Sequence, residues 1–305
     1  MKNLLFSLLF ILAGNMAAGQ SWYNLRNGAD GLNALGVIFT TCTDDTGNVY
    51  AAGNFPENPD SANSKICVAR WSAIRLRWER LGEGAAGINV ERTIETMCVD
   101  KAGNVYAAGG FRDGPFSFSG YFYVARWDGH SWAKLGTGDS ALKANRHISS
   151  LATDDSGNIY AAGYFLNIYG FCYVAKWSVV TLTWSELGHL SANEIIQSIV
   201  VDDSFNVYAT GTFTDWQHHP YVAKYSPVTD TWISLGSGFA VPHKFIYKTL
   251  LALDTFNHLY VAIDGTDSAS FDDSSWIYKW VGTNMVSLGG HAGFKGNTFS
   301  VKNDD

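Results

Sequence analysis

Apolar positions along the chain come in short runs, not long stripes. "SIVV" (Ser198–Val201), "VYAAG" (Val105–Gly109) and "YVARW" (Tyr123–Trp127) are representative. Each is rich in Val, Ile, Tyr or Trp and is bounded by Gly, Asp, Asn or Ser, the signature of a β-strand between turns. Past the N-terminal segment no run sustains a 3.6-residue apolar period, so the pattern predicts an all-β chain. Val124, Ala125 and Trp127 are close neighbours in one run. A sheet with one wet face would alternate strictly, so these sheets need cover on both sides.

The runs recur as sets. "DDTGNVYAAGNF" (Asp44–Phe55) returns as "DKAGNVYAAGGF" (Asp100–Phe111) and "DDSGNIYAAGYF" (Asp154–Phe165). Anchored on Tyr50, Tyr106, Tyr160, Tyr208 and Tyr260, the copies are spaced by 56, 54, 48 and 52 residues. Asp44, Asp100, Asp154, Asp202 and Asp254 each stand six residues before their tyrosine. W-x-x-L-G closes the copies at Trp78, Trp132, Trp184 and Trp232, and Met285–Gly289 is a weakened fifth version. A recurrence of this length denotes stacked structural units.

Each unit contains four strand-like runs, here termed A to D. D-x-x-G-N joins A to B as a tight hairpin, because Asp accepts backbone hydrogen bonds nearby and Gly or Asn tolerates positive φ. Four-stranded blades packed around an axis bury both faces of every sheet, so the predicted fold is a β-propeller. The repeats run over 37–82, 91–136, 147–188, 195–236 and 247–289. Residues 21–25 ("SWYNL") match strand D alone, and 297–305 match the start of a sixth repeat. The expectation is five full repeats plus split parts of a sixth, in a chain cut within that blade's first turn. About 30–40 further residues would complete a six-bladed ring, and more blades are compatible with the pattern.

Val105–Gly136 and Val207–Gly236, each running from "VYA" to the closing "LG", resemble kelch-type propeller repeats. They are also similar to the "GNVY" repeats of secreted bacterial propeller proteins. The resemblance covers about 280 residues and is specific for fold. It departs at two places: Gly109-Gly110 is the one true glycine pair, and the fifth copy has Ile263-Asp264 there. The resemblance implies an interaction module, with a minority of secreted enzymes such as copper oxidases in the same class. No copper-ligand set maps onto this sequence residue by residue.

The segment 1–19 carries Lys2, an apolar run from Leu4 to Ala13 and then small residues, the plan of a secretory leader cleaved after Gly19. The run is shorter than the ~20 apolar residues that span a bilayer. The propeller is then assigned to 20–305 and the protein to the extracellular space or cell surface. Losing Lys2 takes the formal charge from −7 to −8, which disfavours nucleic acid and anionic membranes as partners. Cys42 and Cys98 share one repeat position with Ala152, Val200 and Ala252, so they read as small core residues, not a bridge.

Paired carboxylates at catalytic spacing, G-x-S-x-G, H-E-x-x-H and phosphate loops are all missing from the sequence. Neither a metal site nor a cofactor is expected. The variable segments are the B–C and D–A loops, which share one face of a propeller, and binding residues concentrate on such loops. Trp216, with His218 and His219 in "TDWQHHP", is the first candidate. Arg92, Arg146, His147, His243 and Lys244 in the D–A loops form the second, a positive and titratable ring near the axis mouth. The primary expectation is a non-enzymatic module for a protein or carbohydrate ligand. The alternatives are a secreted hydrolase, lyase or oxidase with its site at the axis mouth, and a structural spacer in a longer surface protein.

Overall fold

The computed structural model of the chain describes residues 32, 36–56, 66–88, 90, 92–114, 119–236, 243–267 and 273–291. The proposed leader, the closing strand 21–25 and the sixth-repeat segment 297–305 lie outside them. The described residues form five four-stranded antiparallel sheets, each built from strands in sequence order. Blade I comprises β1 (Ile38–Thr43), β2 (Val49–Pro56), β3 (Ile66–Ser72) and β4 (Arg77–Arg80). Blade II comprises β5 (Ile94–Val99), β6 (Val105–Gly109), β7 (Ala125–Trp127) and β8 (Trp132–Lys134). Blade III comprises β9 (Ile148–Thr153), β10 (Ile159–Gly163), β11 (Ala175–Ser178) and β12 (Thr183–Glu186). Blade IV comprises β13 (Ile196–Val201), β14 (Val207–Gly211), β15 (Val222–Ser226) and β16 (Thr231–Leu235). Blade V comprises β17 (His243–Leu253), β18 (Leu259–Asp267), β19 (Asp273–Val281) and β20 (Asn284–His291). The fold is an all-β propeller of four-stranded blades.

The A–B turn explains the repeated letters. Asp154 Oδ1 accepts from the backbone N–H of Ser156 and Asn158, at 3.0 and 2.9 Å. Its Oδ2 accepts from the Asn158 side chain at 2.8 Å and from the Tyr160 hydroxyl at 2.9 Å. Asp44, Asp100, Asp202 and Asp254 hold the hydroxyls of Tyr50, Tyr106, Tyr208 and Tyr260 in the same way. The motif thus anchors a buried tyrosine on strand B as well as shaping the turn. The strand-C cation paired with that tyrosine covers its ring: Lys176, Lys224 and Lys279 lie 5.4, 5.3 and 5.0 Å from the ring centres. Arg70 instead pairs with Glu79 at 2.8 Å.

Neighbouring blades are joined by three repeated contacts. The first strands lie side by side, β1 on β5, β5 on β9, β9 on β13 and β13 on β17. Their buried hydroxyls at Thr96, Ser150 and Ser198 accept from the N–H of Leu151, Ile199 and Leu251 in the next blade, each at 3.0 Å. At the other end of the sheet, the indole N–H groups of Trp132, Trp184 and Trp232 donate to the carbonyls of Leu81, Leu135 and Leu187 in the preceding blade. The glycine after that leucine seats the next strand-C aromatic, since a Cβ on Gly136 would lie 2.8 Å from Trp177. W-x-x-L-G is therefore an inter-blade clasp, a role its position in strand D alone did not disclose.

Among the described residues all four cysteines are free thiols, three of them buried. Burial pushes the Cys42 thiol up to about 12 and raises Cys98 as well.

Candidate functional site

In blades III and IV the B–C hairpins and D–A segments meet on one face, and each of these two hairpins is pinned by a side chain. Asn167 Oδ1 accepts from the N–H of Tyr169 and Phe171 at 3.0 and 3.1 Å. Asp215 Oδ1 accepts from Gln217 and His219 at 2.8 and 2.9 Å. This geometry makes Ile168 and Trp216 equivalent tip residues in adjacent blades. The D–A segment then locks each hairpin from the side. Cys172 and Ala192 exchange backbone hydrogen bonds, and Asn145 and Asn193 accept from the N–H of Leu166 and Thr214, each at 2.9 Å.

These rigid tips present apolar side chains to water. Trp216 is 86% exposed, Ile168 91% and Tyr169 73%. His218 takes a left-handed backbone, φ 66°, where the neighbouring hairpin has Gly170 at 84°. His219 Nδ1 lies 3.7 Å from Asp215. The two histidines therefore serve the turn and flank Trp216. Among the described residues no group of three His, Cys, Asp or Glu side chains is arranged to hold a metal.

Nearer the axis, a β-bulge decides which residues face the mouth. In blades I to IV the pairing of the first two strands skips one residue: Phe39, Glu95, Ser149 and Gln197. Opposite the bulge stands Gly53, Gly109, Gly163 or Gly211, and a Cβ there would collide with the bulged backbone, 2.4 Å from the His147 carbonyl oxygen in the case of Gly163. Blade V has Ile263 instead and keeps continuous pairing across this position, Thr249 opposite Ile263, with its pairing skipping Tyr247 and Lys244 farther along. The bulged side chains of blades II to IV reach into the following blade. Ser149 donates to the Ile196 carbonyl at 2.8 Å, and Gln197 donates to the Tyr247 carbonyl at 2.8 Å while accepting from the Thr249 N–H at 2.8 Å.

Glu95 makes the corresponding reach to His147. Its Oε1 lies 3.0 Å from His147 Nδ1, and both side chains are partly exposed. Gly110 leaves room for the couple, because a Cβ there would lie 3.3 Å from the imidazole and 3.4 Å from the carboxylate. The imidazole also packs on Phe122 at 4.9 Å and faces Tyr164 at 6.2 Å. The Arg112 guanidinium lies over the other aromatic neighbour, 4.2 Å from the Phe122 ring centre. Burial pushes the Tyr164 phenol up, and the Glu95 charge adds to this.

Of the residues singled out from sequence, His147 belongs to this couple and Trp216, His218 and His219 share one hairpin. Arg92 and Arg146 sit at equivalent exposed positions on successive D–A segments. His243 and Lys244 begin β17, and their side chains lie outside the described residues. Glu95, Tyr164, Phe122 and Arg112 were not among the sequence candidates. The one readable signal was Gly109-Gly110, a second glycine where other copies carry Asn54, Tyr164 and Thr212.

No family model and no curated protein matches the chain. Solved structures do. That of U3-55K superposes with a TM-score of 0.52 at 11% identity, over 86% of this chain and 64% of its own length. A gluconolactonase from Xanthomonas campestris gives 0.47 at 11% identity, over 75% of this chain and 69% of its own. An ulvan lyase, a polysaccharide lyase, gives 0.49 at 13% identity, over 81% and 69%. At these identities the likeness concerns the fold. Among the described residues no helix is long and apolar enough to cross a membrane.

Proposed function

We propose that the chain is a secreted or cell-surface binding module that meets a protein or carbohydrate partner through its B–C and D–A loop face, without chemistry. The observation carrying this reading is the pair of exposed tips Ile168 and Trp216 on hairpins that Asn167 and Asp215 hold rigid. Exposed apolar side chains are ordinary when single. Apolar tips repeated at equivalent places on preorganised loops are not, because ordering loses little entropy when a partner arrives. An aromatic anchor surrounded by polar neighbours is also the commonest kind of residue to dominate binding energy. Screening the chain on protein and glycan arrays tests this. The reading expects a binder whose signal falls with Trp216→Ala. Absence of any binder together with turnover of a substrate contradicts it.

A second reading rests on Glu95 and His147. The carboxylate orients the imidazole through Nδ1, and among the described residues Nε2 has no hydrogen-bond partner. An imidazole so held beside a phenol can exchange a proton with a ligand at the axis mouth. This reading predicts turnover that is lost in His147→Ala and reduced in Glu95→Gln.

A further inference from the structure

Blade II carries a cavity of about 250 Å³ on the loop face, between its B–C hairpin and the segment leading from its strand D. Tyr121, Phe122, Asp113, Lys134, Thr137 and Lys143 are among its lining residues. It lies just below the ~300–1,000 Å³ range of sites for drug-sized ligands, so it has room for one ring and not for a chain of them.

Its polar groups are fixed in place. Asp113 Oδ1 accepts from the Tyr121 N–H at 2.8 Å, and Asp113 Oδ2 pairs with Lys134 Nζ at 2.9 Å. The ammonium also lies 5.2 Å from the centre of the Tyr123 ring. An ammonium has three N–H donors and a carboxylate about four acceptor sites, so this pair keeps both kinds of capacity side by side. Tyr121 is half-exposed at the wall, and Phe122, 1% exposed, closes the floor. Among the described residues blade III does not repeat the combination. In blade III the strand-D residue reaching the hairpin is Glu186, which accepts from Asn167 at 3.1 Å, so the cation is absent there.

We infer that this cavity is a subsite for a single carbohydrate ring, with adjacent hydroxyls on the Lys134–Asp113 pair and the ring's apolar face on Tyr121. Vicinal hydroxyls each donate and accept, which matches a fixed donor beside a fixed acceptor. An aromatic wall supplies the apolar contact that a sugar face needs. The Phe122 ring separates this cavity from His147, so the subsite lies beside the Glu95–His147 couple and not in it. The inference rests on the loop-face reading and names one ligand class for it.

Saturation-transfer NMR of the chain with the methyl glycosides of common hexoses tests it. The expected result is transfer to ring protons, weakened about tenfold or more by Tyr121→Ala and unchanged by Val228→Ser on a C–D turn of the opposite face. Should Tyr121→Ala fail to fold, Lys134→Gln at the same partly exposed wall is expected to give the same loss. No transfer to any glycoside, or transfer untouched by both variants, overturns the inference. Array binding lost in Trp216→Ala beside silent glycoside spectra removes the subsite and leaves the loop-face reading standing. Glycoside transfer without an array binder supports the subsite alone.

Discussion

Asp44 and its four counterparts are the residues on which the repeat turns. Burial pushes the Asp44 carboxyl upward, but hydrogen bonds from Asn48, Thr46 and Tyr50 outweigh it and hold the group at about 2. An unfolded aspartate titrates near ~3.9. Asp44 therefore contributes stability above about pH 4 that is lost as pH falls toward 2. Urea unfolding between pH 7 and 2 should show this loss, and Asp44→Asn should show less of it; equal loss in both would remove Asp44 from the account. The same turn contains a second test. Phe205 adopts φ 62° where Gly47, Gly103 and Gly157 adopt 81–83°. A left-handed L-residue costs roughly 1–2 kcal/mol, and Phe205 is partly exposed. Phe205→Gly is expected to raise unfolding free energy by about 1 kcal/mol, and a decrease would show that the ring packs more than its exposure indicates. D-x-x-G-N was legible as a turn from sequence. Its hold on the tyrosine was not, because that depends on which face of strand B the tyrosine takes.

At the scale of elements, the bulge and the clasp carry the load between blades. Trp184→Phe keeps the ring and deletes the donor to the Leu135 carbonyl 2.9 Å away. It should cost about 1 kcal/mol, the usual net worth of one hydrogen bond. Gly163→Ala places a Cβ 2.4 Å from the His147 carbonyl oxygen, and should cost about 3 kcal/mol or more. Thermal unfolding of both separates them; a neutral Gly163→Ala would mean that the bulge relaxes. The strands themselves were readable because Val, Ile and Tyr cluster between turn residues. Glu95 was not readable as a mouth residue, because one skipped residue in the pairing reverses which side chains face the axis. The loop-face subsite was hidden for a similar reason: Asp113 and Lys134 stand 21 residues apart and meet only once the hairpin folds back over strand D.

For the whole molecule, the recurrence of about 52 residues translated directly into packed four-stranded sheets, since each can bury its two faces only against like neighbours. Which end of those sheets meets a partner was less legible. The opposite face also exposes apolar tips, Val180 at 87% and Val228 at 91%, each on a C–D turn. Ile74, 90% exposed, holds the same place in blade I, and Ser178 Oγ accepts from the Val180 and Thr181 N–H groups at 3.3 and 3.2 Å, so these turns are held as well; the tips are β-branched, without an indole like that of Trp216 and without the cavity of the loop face. The central claim is therefore a claim about faces. Its most direct measurement is array binding of the intact chain against two double variants. Ile168→Ser with Trp216→Ala is predicted to abolish binding, and Val180→Ser with Val228→Ser to leave it unchanged. Binding that survives the first pair and disappears with the second would contradict the account.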